Sequence, residues 1–265
     1  MRLSAPSSTK KQLTMPKYKG LFKASEGSIG DVTFAKTKDG YQMREKNEVS
    51  AEAIATSPTY QRVRENMAEF SRAGKAARLL RHSLRTLLQN AKDRHLSSRL
   101  VKGLMAVIKS DTTHMRGERT VMDGDVQLLK GFEFNGNADL ATTLPVAFTT
   151  SIDRTTGALQ LDVPSMVPLE TLVAPAGATH YQIVCGGAAV DFDNQSAATD
   201  FKESAYLPWT AAATPALSLL VSVPAASTHP LFLVAGVQFF QEVNGMYYAL
   251  KSGMHNALSL VAVEG

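Results

Sequence analysis

Leu231-Phe232-Leu233-Val234-Ala235-Gly236-Val237-Gln238-Phe239-Phe240-Gln241-Glu242-Val243-Asn244-Gly245-Met246-Tyr247-Tyr248-Ala249-Leu250 reads as two strands around a turn. Its β-branched and aromatic residues favour extended backbone. Asn-Gly between two such runs signals a hairpin, because both residues tolerate positive φ. The apolar run from Leu231 to Phe240 is shorter than the ~18 residues needed to cross a bilayer, and it carries Gln238. It is therefore expected in a protein core. Side chains alternate between faces along a strand, so the two rings of Phe239–Phe240, and of Tyr247–Tyr248, must point in opposite directions. One ring of each pair faces away from the core of its own domain unless a further layer covers it. Exposed aromatic area of this kind marks contact sites, which makes Phe239, Phe240, Tyr247 and Tyr248 the candidate aromatic contacts for assembly.

From this hairpin back to Val126, short apolar runs alternate with Gly, Pro, Asn and Asp. Strands are expected at Val126–Phe134, Val146–Ile152, Ala158–Val163, His180–Val190, Phe201–Leu207 and Leu217–Val223, and beyond the hairpin at Leu258–Val263. Many short strands with frequent turns predict an antiparallel β-sandwich, jelly-roll or immunoglobulin-like, over 126–265. Cys185 is the only cysteine, which excludes an internal disulfide framework and a thiolate zinc cluster. Its apolar surroundings, Tyr181–Cys185, predict a buried thiol. Asp191-Phe192-Asp193-Asn194 is faintly like a calcium loop but lacks the Gly and the closing Glu, so a turn with capping carboxylates is expected. Trp209 is expected to pack at one end of the sandwich.

The preceding half has a different texture. Residues 1–19 form a polar arm. Residues 20–56 hold a hairpin, Val32–Lys36 and Tyr41–Glu45 around Thr37-Lys38-Asp39-Gly40. Ser57 and Pro58 predict a helix start. Tyr60, Val63, Met67 and Phe70, then Ala77, Leu80, Leu84, Leu87 and Ala91, continue at helical spacing, and a second helix is expected from Leu96 to Ile108. Residues 57–110 thus read as a helical hairpin, and the polar stretch 111–125 as a linker. The chain as a whole is expected to be α+β.

Charge divides along the same boundary. Residues 1–130 carry 25 Lys+Arg against 13 Asp+Glu, a surplus of 12 positive charges, whereas 131–265 carry 3 against 11, a deficit of 8. Arg72, Lys75, Arg78, Arg81, Arg85 and Lys92 follow one another with no acidic residue between them. On a regular helix Arg78, Arg81, Arg85 and Lys92 share one sector, a stripe suited to acidic protein or to phosphates. Base stacking has no support, since residues 71–131 contain no Phe, Tyr or Trp. No nucleophile elbow, phosphate loop or dinucleotide fingerprint occurs, and the six histidines form no metal-spaced pair. No catalytic residue, cofactor or metal is expected. No membrane span and no secretory signal is seen, so a cytoplasmic protein or a component of a released particle is expected.

The stretches Gly27–Phe34 through Asp39-Gly40-Tyr41, Tyr60–Asn66 with Glu69-Phe70, Ala174–His180 and Gln238–Gly245 resemble a Bacteroidota protein family of unknown function. The resemblance runs over most of residues 16–263. It implies a bacterial or phage origin and carries no activity or site residues.

These features together predict a non-enzymatic, self-assembling structural subunit of a tube, filament, sheath or virion-like shell. Its expected partners are copies of itself, joined by arm and hairpin exchange and by basic helices against acidic sandwich. The alternative is a capsid-type protein with the basic helix facing nucleic acid. A carbohydrate-binding module, using the aromatic pairs, is a third class.

Overall fold

A computed structural model describes residues 27–45, 49–91, 93–250 and 255–265. The chain divides after Gln61 into two compact units. In the first, β1 (Gly27–Ile29), β2 (Val32–Thr37) and β3 (Gly40–Glu45) form an antiparallel three-stranded ribbon. The expected hairpin is present, with Thr37 opposite Gly40 across the turn. No residue of the ribbon is fully buried, and Ile29 and Met43 are exposed. Helix α1 (Ala51–Thr56) follows, its N-terminus capped by the Ser50 hydroxyl accepting from the Ala53 amide at 3.0 Å. Pro58 opens a single 3-10 turn, Pro58–Tyr60, rather than the long helix itself. The arm 1–19 lies outside the described residues.

Two helices cover one side of the second unit: α2 (Gln61–Ser83) and α3 (Leu96–Ser110). The expected run of helix to Ala91 stops at Ser83, and a 3-10 turn at Leu87–Gln89 replaces its last part. Tertiary bonds account for the break. The Asn90 carboxamide donates to Gln238 Oε1 at 2.9 Å, and the Asn90 carbonyl accepts from Asn256 Nδ2 at 3.0 Å. Ala77, Leu80, Leu84, Leu87 and Ala91 are all buried nonetheless.

The strands are β4 (Thr149–Asp153), β5 (Ala158–Val163), β6 (His180–Asp191), β7 (Ser196–Glu203), β8 (Leu207–Pro208), β9 (Leu217–Ser222), β10 (Leu231–Val243), β11 (Met246–Ala249) and β12 (Ala257–Glu264). All their pairings are antiparallel. Strands β6 and β10 form the centre of a six-stranded sheet, in register from Leu231 opposite Ala189 to Phe240 opposite His180. The outer edge of β10 is shared by β12 and β11, and that of β6 by β7 and β8. Strands β4, β5 and β9 make a separate three-stranded sheet. Asn244 and Gly245 turn between β10 and β11 with φ of 53° and 77°, the left-handed pair that such a turn requires. The expected strand at Val126–Phe134 is instead a 3-10 turn, Val126–Leu129, set by the Asp125 side chain accepting from the Gln127 amide. The end of that stretch meets the sheet at a single bridge, Glu133 opposite Ser259, with backbone bonds from Gly131 and Phe134 to Leu260 and Leu258 and from Leu260 to Phe132.

The central strands are buried on both faces, and their alternate residues serve two cores. Leu231, Leu233, Ala235, Val237 and Phe239 pack with Leu159, Leu161, Leu219 and Val221 of the three-stranded sheet. Phe232 and Val234 pack with Leu80, Leu84, Leu100 and Leu104 of the helical segment. Strand β6 divides likewise, Ile183 and Cys185 to one core, Val184 and Ala188 to the other. Glycines permit the close approach of both layers. A Cβ on Gly186 would lie 2.6 Å from Leu87 Cδ1, and one on Gly187 would lie 2.9 Å from Val221 Cγ2. The class is α+β with antiparallel sheets. The helices are a layer on the sheet rather than a separate hairpin domain, because without them Phe232, Val234 and Leu258 would face water. Segment 111–125 is a packed loop of this same unit, with Asp111, Val121 and its end contact Val126 buried.

Candidate functional site

Asp111 organises the loop after α3. Its carboxylate is buried and accepts from the amides of Thr113, His114 and Thr120 at 2.7, 3.1 and 2.9 Å. Its second oxygen also lies 3.0 Å from His114 Nδ1. Burial opposes its charge, but the amides of Thr120, His114 and Thr113 and the His114 ring outweigh burial and hold the carboxyl well below its ordinary range. Asp123 completes a cluster with Asp111 and His114, its Oδ2 3.7 Å from the His114 ring. Both oxygens of Asp111 are thus committed to the loop, and the cluster is read as a backbone staple rather than a metal centre.

The loop delivers two arginines to the flank of α2. Arg116 donates to Asn66 Oδ1 at 2.8 Å and lies 3.6 Å from Glu65 Oε2. Arg119 lies beside it. Together with Lys109 from the last turn of α3, Asn66 and Glu69, these arginines line a cleft of about 470 Å³. Glu69 is buried and accepts from the Gly117 amide at 2.8 Å. Lys109, Arg116 and Arg119 had no place in the sequence reading, because they lie on different elements. The charged character of 111–125 was the one signal pointing to them.

The predicted basic stripe is divided by the fold. Arg72 is half-buried and donates to the carbonyls of Gly117 and Arg119 at 2.7 and 3.1 Å, so it fastens the loop. Lys75 and Arg78 are exposed. Arg81 is half-buried, with Nε enclosed and without a hydrogen-bond partner among the described residues. Arg85 is exposed but lies beyond the end of α2, off the helical sector expected for it. Lys92 lies outside the described residues.

The aromatic candidates divide too. Phe239 and Phe240 are both buried, so neither is available to a neighbouring molecule. The further layer that covers the second ring is aromatic: Tyr206 meets Phe240 edge-on at 4.9 Å and stacks on Tyr247 at 4.1 Å. His180 also meets Tyr247 edge-on at 4.9 Å. Tyr247 and Tyr248 are both exposed. By the pleat, Val243, Met246 and Tyr248 share the opposite face of the hairpin from Tyr247, and they are 45%, 62% and 57% exposed. Tyr206 went unrecognised because it is far from the hairpin in sequence. A second apolar group, Met67 and Phe70 on α2, is 58% and 61% exposed, although its helical spacing had suggested a core.

A polar network joins the helical layer to the sheet. Arg99 pairs with Asp93 and donates to the carbonyls of Glu133 and Phe134 at 2.6 and 3.2 Å. Asn135 Nδ2 donates to the Asn256 carbonyl at 2.8 Å, and Asn256 Oδ1 accepts from the Phe239 amide at 3.1 Å. Burial pushes the Glu133 carboxyl up to about 7, beyond what bonds from Ser259 and the Leu140 amide take back. Burial likewise pushes the Cys185 thiol up to about 12, with Asp200 adding to it. Asp191 caps its turn as expected, accepting from the Asp193 and Asn194 amides at 3.0 and 2.9 Å. Among the described residues no helix is long and apolar enough to cross a membrane.

No family model matches the chain, and neither a curated protein nor a solved structure matches it.

Proposed function

We propose that the protein is a non-enzymatic structural subunit that assembles with copies of itself into a tube, filament, sheath or shell. The observation that carries this reading is the β10–β11 hairpin tip. It holds exposed apolar side chains on both faces: Tyr247 on one, Val243, Met246 and Tyr248 on the other. Apolar area on both sides of one hairpin is costly in water and is covered by insertion between neighbours. The outer edge of β11 pairs with no strand among the described residues, so it can also extend a sheet in the next copy. Exposed Met67 and Phe70, and the ribbon β1–β3, none of whose residues is fully buried, offer further contacts. A contact between unlike surfaces closes into a ring or runs on as a helical polymer. In fold terms, the six- and three-stranded sheets are read as a two-layer β-sandwich faced by helices.

Negative-stain microscopy and sedimentation across protein concentration test this. Ordered particles that dissociate in a Met246→Lys/Tyr248→Lys variant of unchanged circular dichroism are expected. Monodisperse wild-type monomer at all concentrations and moderate salt overturns it. The exposed cations Lys75, Arg78 and Arg85 favour a second reading, a capsid-type subunit contacting nucleic acid. Reversing those three charges then removes co-purifying nucleic acid, and wild-type particles free of nucleic acid exclude this reading.

A further inference from the structure

We infer that the cleft between α2, the end of α3 and the loop 111–125 is a binding site for a small oxyanion of the phosphate or sulfate class. Three cationic side chains, Lys109, Arg116 and Arg119, line it against one carboxylate, Glu69. That carboxylate is engaged with the Gly117 amide. Glu65, beside the cleft, pairs with Arg116, so the three cations face two carboxylates and one positive charge remains over.

The buried Arg119 Nε sharpens the inference. It is enclosed and has no hydrogen-bond partner among the described residues. A buried guanidinium N–H without an acceptor is costly, and such groups in folded proteins usually mark a missing water or ion. Arg116 is partly satisfied by Asn66 and by Glu65. An oxyanion in the cleft supplies several acceptors at once to the three cationic side chains that line it. Guanidinium groups present forked donors matched to such oxygens, while Lys109 adds a mobile point charge.

The site is also held ready. Asp111 fixes the amides of Thr113, His114 and Thr120 on either side of Arg116 and Arg119. Arg72 ties the same loop to α2. Binding thus does not have to order the loop, which is the usual cost of capturing a small ligand. These residues are separate from the exposed stripe Lys75, Arg78 and Arg85, so the cleft can bind whether or not the chain assembles or contacts nucleic acid.

The test is isothermal titration of the full chain with inorganic phosphate, in buffer whose ionic strength is balanced with chloride. Saturable binding is expected for the wild type. It should weaken about tenfold or more in Lys109→Gln and in Arg119→Gln, the loss of one charge-assisted contact each, and stay unchanged in Lys130→Gln, an exposed cation outside the cleft. Lys109 is exposed, so its variant separates loss of binding from loss of fold. Phosphate heat indistinguishable from chloride, or wild-type binding in both cleft variants, overturns the inference. A single-stranded oligonucleotide in competition then identifies the source. Displacement of phosphate assigns the group to a nucleic-acid backbone at this cleft, and no displacement assigns it to a free anion.

Discussion

Leu100→Ala is the sharpest probe of whether helices and sheets form one cooperative structure. Leu100 is fully buried in α3, in the core shared with Phe232 and Val234 of β10. Truncating such a leucine removes its burial and leaves a cavity, at a cost of about 2–5 kcal/mol. For a unit the size of 62–265 this corresponds to a fall in Tm of roughly 6–15 °C. The chain supplies a probe on the far side of the sheet. Trp209, its only tryptophan, packs against the other core and donates to the Pro168 carbonyl at 3.1 Å. Thermal unfolding followed by circular dichroism near the helical band and by Trp209 fluorescence should give coincident transitions, both shifted down together. If helical signal is lost early while the Trp209 transition keeps its wild-type midpoint, the two cores are not coupled through β6 and β10 and the shared-core account fails.

Glu133 gives a pH dependence. Its native carboxyl titrates at about 7 against an ordinary value of 4.5, so between those values the native state binds more protons than the unfolded one. Stability should fall as pH rises through this window. The full separation is worth about 3 kcal/mol, cut to about 1–2 kcal/mol because solvent reaches the group. Glu133→Gln should therefore raise Tm by a few degrees at pH 8 and flatten the slope between pH 5 and 8; an unchanged Tm at pH 8 refutes the assignment. Asp111→Ala strips the acceptor from three loop amides and should cost about 2–4 kcal/mol by chemical denaturation, whereas a loss under about 0.5 kcal/mol, the range of an ordinary surface change, would deny it the staple role. Cys185, buried with a raised thiol, should ignore a chromogenic disulfide reagent in the native state and react in full once the chain is unfolded.

Much of the strand pattern could be read directly. Asn244-Gly245 marked its turn, and the apolar run of β10 marked a strand with no polar face. What that run also implied went unread. Adjacent apolar residues such as Leu231-Phe232-Leu233-Val234 need cores on both sides, so the helices had to be one of the covering layers. The polar composition of 111–125 hid this, because a loop stitched by Asp111 has the same residue content as a solvated linker. The basic stripe failed in part for a local reason. Helical geometry was carried past Ser83, although Asn90 had polar partners on the sheet that only the tertiary structure reveals. The oxyanion cleft could not be read at all, since Lys109, Arg116 and Arg119 meet only once α3, the loop and α2 are packed.

The doubly buried central pair has a consequence for how the chain finds its register. In a strand with one wet face, a slip of one residue turns apolar side chains into water and is rejected at once. In β10 the same slip would exchange one oily interior for the other, with little new exposure. Correct alignment must then come from shape and from polar matching. Gly186 admits Leu87 and Phe201 and Gly187 admits Val221 and Leu159, while Gln238 and Asn256 must each find Asn90. Those few positions carry the information that solvent supplies elsewhere. Substituting them should slow folding and populate misaligned intermediates, beyond what their loss of native contacts accounts for.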